Sequence, residues 1–300
     1  MSFEKKYLWW FVGSSFIFAI MGALIKYASY IDSFKTTIFR FSIGMALLGT
    51  LAVMGKIKLD FNKPRLLVCR GITGGIAVVI YVWSISNIGL AKGTIISHTS
   101  TIFATILSVI ILKERMTLLK AIFIVMALYG LYLLVGTNIF SAGRMGIYDL
   151  VAIVGAFFSG IADVTIRKAR QTESTYSVFF AQCVMGFWIV LVPANLIPAK
   201  IGIEGAMILL LIGITAAVGQ LMTTYAYKFI PLSTGSVMSM LTPVCSLIIG
   251  TTVFKESFTG RGFTGVLIVL VSCYMVIMSD DFNRKILRVF SLYDRTKTSE

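Results

Sequence analysis

The chain has 300 residues, of which 57% are hydrophobic and 13% charged, with a net charge of +14. Soluble domains carry about 25% charged residues, and a mean hydropathy of +0.90 leaves too little polar surface for one. Soluble enzymes, disordered chains and collagen-like repeats are excluded. A polytopic membrane protein remains, with its basic excess gathered in loops rather than aimed at nucleic acid.

In chain order, ten apolar segments predict membrane helices at 8–27, 36–54, 66–86, 92–112, 118–136, 147–166, 176–195, 205–226, 232–254 and 262–279. Most reach the roughly 17–25 residues that a bilayer requires. The first follows Lys5 and Lys6 and is long enough to be a retained span rather than a cleaved signal. Polar turns such as GKIKLDFNKPR (55–65) and RKARQTES (167–174) separate the segments. With the N-terminus inside, the inner segments hold 18 Lys and Arg and the outer segments seven. That asymmetry predicts both termini in the cytoplasm of an inner (cytoplasmic) membrane protein. The tail 281–300, with RKILRVFSLYDR, predicts a basic amphipathic helix on the inner leaflet. The four cysteines are scattered through apolar runs without a CxxC, so neither zinc nor a disulfide framework is signalled.

The two halves repeat. A shift of 142 residues lays IGLAKGTIIS (88–97) on IPLSTGSVMS (230–239) and LKERMT (112–117) on FKESFT (254–259). Across the ungapped pairs 88/230 to 117/259 eight positions are identical, the Lys-Glu and Thr of the turns among them. Five spans per half is an odd number, so the second half enters the membrane upside down. The expected class is therefore an all-α membrane protein of ten helices in two inverted five-helix repeats, 1–140 and 141–280. Such repeats place a substrate site near the midplane between the halves and support alternating access.

These residues resemble the drug/metabolite transporter superfamily, EamA-type. The resemblance rests on FRF (39–41), the paired LKERMT and FKESFT turns, and GQLMTTYAY (219–227). It implies two five-helix bundles around a central cavity and movement of a small metabolite.

Polar groups inside spans are costly and mark cavities or partners. His98 is the sole histidine and stands in Ser97-His98-Thr99-Ser100-Thr101. Five consecutive polar residues cover more than a full helical turn. His98, Ser97 and Thr101 are candidate substrate contacts, with His98 also able to exchange a proton; a ring satisfied by a nearby hydroxyl is the plainer alternative. Arg40, aligned by the repeat with Gln182, could hold a carboxylate or phosphate, or snorkel to the headgroups. Gln220 offers a donor and an acceptor, or glue between helices. Trp83 and Tyr225 read as interfacial aromatics or as a stacking surface. Asp163 is a candidate coupling or gating residue, or a plain i,i+4 partner of Arg167. Pro243 could hinge a gate. Glu114 and Glu256 read as turn-fixing residues, with Thr117 and Thr259 as helix caps.

No nucleotide-binding loop, HExxH or Ser-His-Asp set is present, so no cofactor or enzymatic step is expected. A secondary transporter of an amino-acid-like or nucleoside-like compound, with a proton as possible coupling ion, is the leading expectation. A lipid or lipid-precursor flippase is the alternative.

Overall fold

The computed structural model describes residues 5–88, 93, 96–114, 116–135, 146–196, 201–253, 255 and 260–297. Eleven helices are described and no strand among those residues: α1 Lys5–Tyr27, α2 Ser33–Val53, α3 Pro64–Ile88, α4 Ser100–Leu112, α5 Leu118–Val135, α6 Ile147–Ala169, α7 Thr175–Leu196, α8 Ile203–Ala226, α9 Leu232–Met238, α10 Leu241–Val253 and α11 Gly260–Lys297. Eight helical segments are long and apolar enough to cross a membrane, α9 and α10 counting together as Leu232–Val253. The fourth and fifth expected spans are shorter apolar helices, Ile96–Leu112 and Leu118–Leu134. The protein is a multi-pass, all-helical membrane protein.

Local chemistry sets several helix ends. Asp32 accepts hydrogen bonds from Phe34 N at 2.8 Å and Lys35 N at 3.3 Å, opening α2. Asp149 returns to Gly146 N at 3.0 Å and opens α6. Thr117 Oγ1 accepts from Lys120 N at 3.3 Å, as expected of a cap; Glu256 and Thr259 lie outside the described residues. Lys113 and Lys255 are the non-glycine residues with positive φ among those described, at 54° and 52°. Lys113 caps α4 in the left-handed conformation that closes a final turn, and Lys255, two positions past the last described residue of α10, shares that conformation. They stand 142 positions apart.

Two helices are broken. The helical path from Ile96 turns at Thr99 before α4, and the path from Leu232 turns at Ser239 and Met240 before α10. At each break a hydroxyl satisfies a carbonyl three residues back: Thr99 to Ile96 O at 2.6 Å, Ser239 to Ser236 O at 2.7 Å. Pro243 is the third residue of α10, inside its first turn, where a missing N–H costs no helical bond. It therefore follows the break rather than hinging the helix.

Helices pair as α3 with α6 and α7, α1 with α8 and α10, α2 with α7 and α8, α4 with α6 and α9, and α5 with α11. Glycines permit the close crossings. A Cβ on Gly75 would meet Gly186 Cα at 3.0 Å, joining α3 to α7. One on Gly160 would meet Ala104 N at 2.9 Å, joining α6 to α4. The expected separate tail helix is instead the continuation of α11, which runs unbroken from Gly260 to Lys297.

Candidate functional site

The candidate site begins with glycines on α3. Gly71 and Gly75 bring α3 against Ala181, Met185 and Gly186 of α7. Gly74, one turn after Arg70, leaves the room through which the Arg70 guanidinium passes; a Cβ there would collide with it. Arg70 Nη2 thereby donates to Gln182 Oε1 at 2.6 Å. Both side chains are buried, each 2% exposed. A charge-assisted bond of this kind is worth about 1.5–3 kcal/mol and costs more than that when one partner is removed. Arg70 Nε is sealed from solvent and has no hydrogen-bond partner.

Asp163 of α6 lies within electrostatic reach of Arg70 and of Tyr227. Tyr227, 1% exposed, packs its ring against Gly235 of α9, where a Cβ would meet it at 2.5 Å. The polar belt thus runs from Gln182 through Arg70 and Asp163 to the broken helix α9. There Thr101 of α4 donates to Ser236 O at 3.4 Å, so the two broken helices touch beside their turns.

Arg40 flanks this belt. It sits on the buried face of α2 with Phe41, Gly44 and Leu48. At 9% exposure it is enclosed by protein, not extended to headgroups. Cys183 lies within electrostatic reach of both Arg40 and Arg70. Arg40 makes no hydrogen bond or ion pair with another described residue, yet its nitrogens are not among the sealed polar atoms.

Not every expected residue joins the belt. Ser97 and His98 are half-buried at the turn before α4, and no bond joins the His98 ring to a described residue. Gln220 is half-buried on α8, likewise without a described partner. Trp83 packs on Tyr148 with ring centroids 5.3 Å apart, where α3 ends and α6 begins. Tyr225 lies at the opposite end, against Tyr7 at 5.9 Å and Trp10 at 5.1 Å. The two rings belong to separate aromatic clusters at helix ends, not to one stacking surface. Asp163 does not pair with Arg167, because tertiary partners claim that arginine. Arg167 donates to Tyr227 O at 2.6 Å, to Lys228 O at 2.7 Å and to Glu114 at 3.5 Å.

Arg70 is not among the candidate residues that the sequence pattern singles out. Its depth, six residues into α3 beside Gly71, Gly74 and Gly75, is the signal that marks it. Gln182, aligned with Arg40 by the repeat, bonds to Arg70 instead, because positions related by a repeat need not touch.

The end of the bundle where α1 begins is tied shut. Asp60 N donates to Ser177 Oγ at 2.6 Å, Lys63 N to Glu173 at 2.7 Å, and Asn62 N to Glu173 at 3.2 Å. Glu114 accepts from Leu232 N with both oxygens, at 3.1 and 3.0 Å. Arg170 donates to Thr224 O at 3.2 Å and to Glu173 O. Burial pulls its guanidinium below the ordinary range. A peripheral groove of about 540 Å³ at the same end is lined by Lys63, Pro64, Arg65, Leu66, Cys69 and Lys168. It lies at the start of α3, apart from the belt.

Residues 5–136 and 146–278 match the model of the EamA-like transporter family. The pseudopaline exporter CntI of Pseudomonas aeruginosa is 29% identical over 220 residues, covering 72% of this chain and 76% of that protein. A transporter of Helicobacter pylori is 25% identical, covering 87% of this chain and 91% of its own. Mouse solute carrier family 35 member G1 is 23% identical, covering 88% and 76%. A protein crystal structure superposes with a TM-score of 0.79 over 91% of this chain and 97% of its own, at 14% identity, which speaks for the fold alone.

Proposed function

Because the chain belongs to the EamA-like transporter family, and so moves a small molecule across a membrane, we propose that it is a secondary transporter of an amino-acid-like metabolite, working by alternating access in the cytoplasmic membrane. The observation that carries this reading is the Arg70–Gln182 bond with Asp163 beside it, a polar belt buried between α3, α6 and α7. A membrane protein retains such groups where a solute or ion passes. The kinship to CntI, a pseudopaline exporter, supports movement of a small molecule.

The proposal includes two inverted halves, 1–140 and 141–280, and ten spans with both termini cytoplasmic. Three features support it. Breaks at Thr99 and at Ser239–Met240 fall within two residues of each other under the shift of 142. Lys113 and Lys255 adopt the same left-handed conformation. The pairings of α3 with α6 and of α1 with α8 exchange under the inversion. Paired interruptions of this kind flank binding sites in inverted-repeat transporters. In this reading Arg40, Gln182, Gln220, Ser97, His98 and Thr101 face the solute path, Asp163 is the proton-coupling group and the tied end is the closed inner gate.

The test compares metabolites in cells and medium for wild type and His98→Ala at matched expression. One compound class should cross with wild type, and His98→Ala should slow it about tenfold or more. Equal movement by both proteins would remove His98 from the path. No soluble metabolite moving with either protein would overturn solute transport in favour of lipid flipping.

A further inference from the structure

Arg70 from α3 lies within electrostatic reach of two further charged side chains, Arg40 from α2 and Asp163 from α6. Tyr81 of α3 faces Arg40, Cys183 of α7 faces both arginines, and Tyr227 faces Asp163 and Arg70. Arg70 is answered by Gln182 and by Asp163. Arg40 is answered by no described residue, although it is 91% buried. Its nitrogens are not among the sealed, unpartnered polar atoms of the interior. An enclosed, unpaired charge is expensive in a medium of low dielectric. With Asp163 ionised, the niche therefore carries one positive charge more than its own groups neutralise.

Resting on the transport reading above, we propose that the transported compound is a net anion whose carboxylates outnumber its amines by one, and that Arg40 is the residue that grips the extra carboxylate. The planar guanidinium offers two parallel donors, which match the two oxygens of a carboxylate. One excess carboxylate supplies the single missing negative charge. A phosphomonoester brings nearly two charges and overshoots that balance. A neutral zwitterion leaves the excess charge in place, and a cationic solute adds to it. Arg70 orients the opposite side of the niche through Gln182 and Asp163.

The test uses full-length protein purified in detergent, with thermal melting in millimolar L-glutamate, succinate, citrate, L-alanine, L-lysine or inorganic phosphate. At least one of the three carboxylates should raise the wild-type midpoint, while alanine and lysine should not. Arg40→Met should lose that response, and Arg40→Lys should bind at least tenfold more weakly, since an ammonium cannot form the fork. Without ligand, Arg40→Met should melt at or above wild type, because an unpaired buried charge is gone. Arg40→Met melting well below wild type would make Arg40 a structural partner and overturn the proposal. Protection by alanine or lysine equal to that by the carboxylates would overturn it, as would protection by phosphate alone or by none of the carboxylates. Any of these results alongside a compound that still crosses cells would sink the anion proposal and leave solute transport standing.

Discussion

The α3–α7 seam and the α5–α11 seam both close on facing glycines. Gly75 abuts Gly186 in the first; in the second a Cβ on Gly265 would meet Gly130 O and Leu134 N at 2.5 Å. Beside the first crossing lies the buried Arg70–Gln182 bond. Beside the second lie Ala127, Leu131, Val269, Cys273 and Val276, all buried. Lipid is as apolar as these side chains, so close van der Waals packing is what holds either pair together. Around Gly130 and Gly265 the α5–α11 crossing obtains such packing from apolar side chains, with Lys120 buried nearer the start of α5. On the proposed transport reading, the arginine in the α3–α7 seam serves solute passage rather than adhesion.

The largest expected effect separates scaffold from site. Gly265→Ala forces α5 and α11 apart at backbone atoms, which cannot yield as a side chain does. Its cost should exceed the roughly 1–3 kcal/mol of ordinary overpacking, read as loss of monodisperse protein after extraction. Gly75→Ala meets Gly186 Cα at 3.0 Å and the flexible end of Ile189 at 2.9 Å, so it should be milder. The reverse order would mean that the polar seam, not the apolar one, is the tighter joint.

Next in size is Gln182→Leu. It leaves the Arg70 guanidinium short of its closest partner and should cost about 2–3 kcal/mol in thermal melting. The double variant Arg70→Met with Gln182→Leu should recover most of that stability, since apolar groups replace a buried polar pair with little loss. It should not recover transport. A double variant as unstable as the single one would make the bond adhesive and erase the contrast between the seams.

The sequence carries the helices of this fold plainly, because long apolar runs have one stable form in a bilayer. The break near His98 departs from the expected unbroken span 92–112, where the Thr99 hydroxyl takes the Ile96 carbonyl from the helical ladder. Partner choice is not legible. The local spacing of Asp163 and Arg167 suggests an ion pair, but the ends of α8 and α9 approach and take Arg167 for themselves. Gln182 finds Arg70 because Gly71, Gly74 and Gly75 pull α3 against α7, a consequence of packing that no pairwise spacing encodes. Trp83 and Tyr225 carry the same ambiguity from the start, because an amphipathic ring suits a helix end and a binding surface equally.

The smallest effect concerns the tied end. Glu114 does two things there: it accepts from Leu232 N at the start of α9, and it meets Arg167 Nε at 3.5 Å. Glu114→Gln keeps an oxygen for Leu232 but removes the charge opposite Arg167, at about 1 kcal/mol or roughly 2–4 °C in melting midpoint. Glu114→Ala removes both and should cost about 1 kcal/mol more, the usual price of a lost cap. If Gln melts with Ala, the ion pair holds this end. If Gln melts with wild type, the backbone cap holds it, and Arg167 is anchored by the Tyr227 and Lys228 carbonyls alone. Either result says which bond must break for α9, with its break beside the polar belt, to move away from α4.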